Sequence, residues 1–131
     1  MVHARGLTKE DLRDRMRSQT ATVTSVSGFV FTSNTPAYVT RYIVDILITH
    51  TSGNAENVNR VDLAAVEHGI SRPLVTNYAV ASGQSRYMGG GSLDPLNPLF
   101  QLGGNGNISA RTLASGQQVA LTVFYYDSEL F

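Results

Sequence analysis

Histidines His3, His50 and His68 are the residues of this chain best suited to metal binding or proton transfer. A zinc-type centre needs three or four converging ligands, and the carboxylates nearby in sequence that come into question are Asp62 and Glu67. His50 and His68 stand at the far ends of two expected partner strands, and His3 lies in the N-terminal segment. They therefore read as surface or strand-end residues, with no metal site expected. The chain has no cysteine, which rules out disulfides, thiolate ligands and a thiol nucleophile. Gly104-Asn105-Gly106 neither leads from a strand into a helix nor carries a lysine, so it reads as a hairpin turn and not a phosphate loop. There is no Gly-x-Ser-x-Gly elbow, and nothing singles out a carboxylate pair for glycosidic chemistry. The expectation is a protein that is not an enzyme and takes no cofactor.

The residues suited to recognition are more informative. Six tyrosines stand against five phenylalanines and no tryptophan. A tyrosine brings a large apolar ring and one hydroxyl, which suits interfaces as well as ordinary strands. Tyr87, beside Gly89-Gly90-Gly91, is the one candidate for a sugar-stacking platform. The three glycines permit unusual backbone angles or close approach, as a flexible connection or at a subunit contact.

The elements that must position these groups divide into an arm, residues 1–20, and a body, residues 21–131. The arm carries Arg5, Lys9, Arg13, Arg15 and Arg17 against Glu10, Asp11 and Asp14, including the chain's only lysine. Thr8 followed by Asp11 resembles a capping box, and Leu12 and Met16, four apart, share one face. So narrow a stripe over about ten residues is marginal as an isolated helix. The arm is therefore either a solvated tail or a segment that orders by docking on a neighbouring subunit. The interleaved carboxylates disfavour nucleic acid.

The body is punctuated for strands. Residues 23–26 and 28–32 suggest a first pair. Residues 38–50 alternate, with Tyr42, Val44, Ile46 and Ile48 on one parity and Val39, Ile43 and Leu47 on the other. Thr51-Ser-Gly-Asn54 turns the chain, and residues 58–67 return with Val61, Leu63 and Ala65 on one face, an expected hairpin. Gly69 and Pro73 interrupt, and shorter segments follow at 75–81, 84–88, 99–102 and 108–113. The last strand, 118–126, places Val119, Leu121, Val123 and Tyr125 on one face and Thr122, Phe124 and Tyr126 on the other. A strand apolar on both faces needs cover on its outer side, from the arm or from a partner. Seven to nine short strands with frequent turns predict an all-β sandwich, jelly-roll-like, preceded by a short helical or extended arm.

Composition fits one domain of 131 residues. Charged residues make up only 15%, with Ser, Thr, Asn and Gly in their place. A surface of hydroxyls and amides is cheaper to cover with a neighbour than one of charges. The formal net charge is zero, which argues against bulk attraction to nucleic acid or an anionic membrane. No signal core and no membrane-length apolar run is seen, so a soluble product made in a cytoplasm is expected.

Residues 38 to 126 resemble small β-sandwich proteins of tailed-phage virions. The resemblance rests on an ordered series: Ile43-Val-Asp-Ile-Leu-Ile-Thr-His50 with its small-polar turn, Val61-Asp-Leu-Ala-Ala-Val66, the turn Ala79-Val-Ala-Ser-Gly-Gln84, then Ser92-Leu-Asp-Pro95 after the glycines, and a closing Val119-Ala-Leu-Thr-Val-Phe-Tyr-Tyr126. It implies a structural virion protein: a capsid decoration (cement) protein, a homotrimer that bridges subunits of the major capsid protein, or alternatively a tail, baseplate or fibre module, receptor- or carbohydrate-binding. Partner contacts are expected from Leu12, Arg13, Arg15, Met16 and Arg17 in the arm, Phe124 and Tyr126 in the last strand, and Phe131.

Overall fold

A computed structural model describes residues 8–24, 29–30, 34–51, 58–113 and 116–128. A short helix, α1 (Lys9–Asp14), is followed by β1 (Arg17–Val23), β2 (Phe29–Val30), β3 (Arg41–His50), β4 (Val58–Glu67), β5 (Ile70–Ala81), β6 (Ser85–Tyr87), β7 (Phe100–Leu102), β8 (Asn107–Thr112) and β9 (Val119–Asp127). The protein is mostly β, in two antiparallel sheets. One runs β1-β9-β3-β6, with β7 also paired to β3, and the other runs β2-β8-β4-β5. β1 starts at Arg17 and pairs with β9 from Arg17↔Tyr125 to Val23↔Val119. The last residues of the charged N-terminal stretch are thus sheet residues.

Both sheets feed one buried cluster. Ile46, Ile48 and Leu121 enter it from the first sheet, and Leu63, Val80 and Ile108 from the second. Each such side chain contributes roughly 1.5–3 kcal/mol by leaving water, so this shared core is what holds the sheets to each other.

Two expected pairings are replaced by others. Residues 38–50 and 58–67 do not form a hairpin, because β3 and β4 lie in different sheets. β3 is buried along nearly its whole length and is paired on both edges, with the long β9 on one and the short β6 and β7 on the other. β4 sits between β8 and β5. A strand apolar on both faces needs a partner that is apolar on both faces, and β9 is the one available. The expected first pair is also split, with β1 on β9 and β2 on β8; residues 25–28 and 31–33 lie outside the described residues.

The hairpin that does form joins β4 to β5 through His68 (φ 53°) and Gly69 (φ 76°). Positive φ at both central positions gives the turn whose twist matches the flanking strands. Gly69 therefore joins two strands, and β5 runs on through Pro73, which an edge strand tolerates because it need not donate on both sides. The register of this hairpin shifts twice, around Leu63. Near the shift, Asn77 takes φ 56° and gives its N–H to Asp62 Oδ1 at 2.8 Å.

β3 carries the irregularity with the largest consequence. Its register against β9 shifts between Ile43 and Asp45. A bulge of this kind exchanges the two faces of a strand. Before it, Tyr42 and Val44 point away from the shared core and Ile43 into it; after it, Ile46 and Ile48 point into the core. The parity expected for Tyr42, Val44, Ile46 and Ile48 therefore breaks at Asp45.

Candidate partner-binding surface

The outer face of the first sheet is covered by the chain's own N-terminal segment. Thr8 caps α1: its Oγ1 accepts from the Asp11 N–H at 3.2 Å, and Asp11 Oδ2 accepts from the Thr8 N–H at 3.0 Å. These bonds, the backbone one first, hold the Asp11 carboxyl below its ordinary range, with Arg15 adding to the effect. A six-residue helix has too few hydrogen bonds to persist alone, and its contact with the sheet supplies the difference. Leu12 is fully buried in a slot made by Tyr42, Val44 and Tyr126, with Met16, Leu93 and Phe124 packed around it.

The floor of the slot is a cross-strand tyrosine pair. Tyr42 stands opposite Tyr126 in the β3–β9 ladder, and their rings stack with centroids 5.1 Å apart and planes at 21°. The Tyr126 hydroxyl donates to the Pro95 carbonyl at 2.7 Å. Burial, then Tyr42 and Asp94, push the Tyr126 hydroxyl up to about 12. Beside the tyrosine pair, Arg41 and Asp127 form a buried fork, Nε to Oδ1 at 2.8 Å and Nη2 to Oδ2 at 3.1 Å. The Arg41 guanidinium also lies 4.4 Å from the centre of the Tyr125 ring.

The second wall is the connection from β6 to β7. Asp45, at the bulge and 1% exposed, accepts three backbone N–H groups: Ile46 at 2.8 Å, Gly89 at 2.7 Å and Gly91 at 3.0 Å. This carboxylate fixes the glycine run against the sheet. A Cβ on Gly89 would stand 2.6 Å from Leu99 Cδ2 and 3.1 Å from Asp45 Oδ1, so a larger residue here displaces the Leu99 side chain and crowds the Asp45 carboxylate. Further along, Asp94 accepts from Asn97 and from the Leu96 N–H. Those bonds, with Lys9 and Arg13, hold its carboxyl below the ordinary range. Lys9 Nζ lies 3.7 Å from Asp94 Oδ1, tying the helix to this connection.

Of the residues expected to meet a partner, the structure brings Leu12, Met16, Phe124 and Tyr126 into this one cluster. Arg13 and Arg17 are exposed, and Arg15 caps the end of α1, half-buried. Phe131 lies outside the described residues. Sequence reasoning missed Tyr42, Val44, Asp45 and the Leu93–Pro95 wall. The available signal was Asp45 itself, an acid in the middle of an apolar run, which must find donors when buried. Among the described residues no three His, Asp or Glu side chains cluster as metal ligands would, and no helix is long and apolar enough to cross a membrane. No family model matches the chain, and no match is found among curated proteins.

Proposed function

We propose that this protein is a structural virion protein, a jelly-roll-like β-sandwich that decorates the head of a tailed phage and stabilises it by bridging capsid subunits as a homotrimer. The observation that carries this reading is the seating of the arm. A helix too short to stand alone is held by Leu12 in an apolar slot on the outer face of a sheet. Only Arg15 and Met16 separate α1 from β1, so exchange with a neighbouring copy would carry α1 and β1 together, and the same contacts that close a subunit would then link two. The low charge of the surface supports the reading, because hydroxyls and amides are covered by a shell at lower cost than charges. Many weak contacts repeated over a shell then add as avidity, and closed symmetry is the general rule for such oligomers.

The test has two arms. Light scattering of the purified protein is expected to give three times the 14.2 kDa chain mass. Co-sedimentation with shells of the co-encoded major capsid protein is expected for the full chain and not for a chain lacking residues 1–16. Binding that survives this deletion removes the arm from the mechanism. A protein that co-purifies with tails and not with heads is a tail, baseplate or fibre module instead.

A further inference from the structure

The outer face of the second sheet holds a cleft of about 280 Å³ between β4, β5 and β8. Its origin is legible in the register. Ser109, Ala64 and Pro73 stand side by side across the three strands, a row of short side chains that leaves a hollow. The next row is tall, with Asp62 paired to Arg111 across β4 and β8. Ser71 closes the β5 side.

The tall row is tied together by hydrogen bonds. Arg111 Nε and Nη2 reach Asp62 Oδ2 at 3.0 and 2.9 Å, and Asp62 Oδ1 takes the Asn77 N–H at 2.8 Å. The Arg111 side chain is still 52% exposed. An arginine has five donors, and this pair uses two of them. The hollow thus has preset donors and acceptors on one wall, hydroxyls from Ser71 and Ser109, and an apolar floor patch from Ala64 and Pro73.

We propose that this cleft binds one sugar ring of a glycan. Adjacent hydroxyls of a sugar need a donor and an acceptor at fixed spacing, which a clamped Arg–Asp pair offers, and the C–H face of the ring fits a floor of alanine and proline. An anion is disfavoured because Asp62 already matches the Arg111 charge, and a wholly apolar ligand is disfavoured by the polar wall. The volume lies just below the roughly 300–1,000 Å³ of most small-molecule pockets, which sizes it for one ring. The site lies on the opposite sheet from the arm, so it stands or falls independently of shell attachment.

The experiment is saturation-transfer NMR on the full chain with glucose, galactose, mannose, N-acetylglucosamine and rhamnose, each offered singly. At least one is expected to receive transfer. Arg111→Ala, which removes charged hydrogen bonds, is expected to weaken it about tenfold or more. Ser71→Leu on the exposed edge strand and Ala64→Leu in the hollow are expected to abolish it, each in protein whose unfolding midpoint shows it folded. Transfer to none of the five sugars overturns the proposal. So does transfer unchanged in the folded variants, and so does displacement of the sugar by inorganic phosphate at equal concentration, which would make the cleft an anion site.

Discussion

Leu12 and Tyr126, from opposite ends of the chain, share one slot, and both are fully buried. The leucine touches a ring that is itself fixed by stacking on Tyr42 and by a hydrogen bond to Pro95. A rigid floor of this kind lowers the ordering cost of docking a short helix, since only the helix has to be immobilised.

Leu12→Ala removes the buried anchor. Core leucine truncations cost roughly 2–5 kcal/mol, but α1 is a peripheral element, and its loss by local undocking limits the cost to the lower end, about 2 kcal/mol. Hydrogen exchange is expected to show residues 9–14 unprotected while the β4 amides stay protected. Equal protection of α1 in both proteins would mean that the slot does not hold the helix.

Acid should release the same helix. The folded carboxyls of Asp11 and Asp94 lie below their ordinary value of 3.8. Their contribution is therefore present above that value and lost as pH falls through the lower folded value. Exchange at residues 9–14 is expected to rise on acidification in this range, and Asp11→Asn is expected to flatten that dependence. A dependence identical in the variant would assign the effect to other groups.

At the alkaline end Tyr126 dominates. Its folded value is raised from 10.0 to about 12, so the folded state retains a proton that the unfolded state releases. Stability is thus fully present below pH 10 and declines as pH rises from 10 towards 12. Absorbance titration is expected to show one of the six tyrosines ionising late. Tyr126→Phe should remove that late step and, through the lost bond to Pro95, cost about 1 kcal/mol near neutrality.

Asp45→Asn tests the bulge. The amide keeps one oxygen for three N–H donors and turns its own NH2 towards them, leaving buried groups unpaired at roughly 1–3 kcal/mol. Gly89 and Gly91 amides are expected to exchange faster, with urea unfolding shifted to lower concentration. An unchanged midpoint would show that the glycine run is held by packing alone.

The Arg41–Asp127 fork predicts non-additivity. Its side chains are 9% and 4% exposed, so Arg41→Met or Asp127→Leu alone leaves a buried charge and costs roughly 3–5 kcal/mol. The double variant is expected to recover much of that loss. A double variant as unstable as the sum of the two singles would mean that each partner acts through some other contact.

Strand composition and facing were readable where local pattern decides them. Val61, Leu63 and Ala65 on β4, and Val119, Leu121 and Val123 on β9, take the faces that their alternation predicts. The need for cover over Phe124 and Tyr126 was equally plain, and α1 with the β6–β7 connection supplies it within the chain. Two things were hidden. The bulge at Asp45 exchanges faces without any glycine or proline to announce it; the acid within an apolar run marks the place, but its partners Gly89 and Gly91 lie on a distant loop. The partition of β3 and β4 into separate sheets depends on β9, far along the chain, being apolar on both faces. The cleft was hidden for the same reason, since Ser109, Ala64 and Pro73 become neighbours only once the order β8-β4-β5 is set.

The edge strand β5 has a consequence for crowding. Pro73 offers no N–H to an incoming strand, and the Asn77 N–H is already turned inward to Asp62. A foreign segment laid along this border meets a broken row of donors and a twist at Asn77, and natural sheets use such interruptions to stop strand-on-strand growth. Copies held at high local concentration therefore meet along this border through side chains and not through a shared ladder that lengthens without limit.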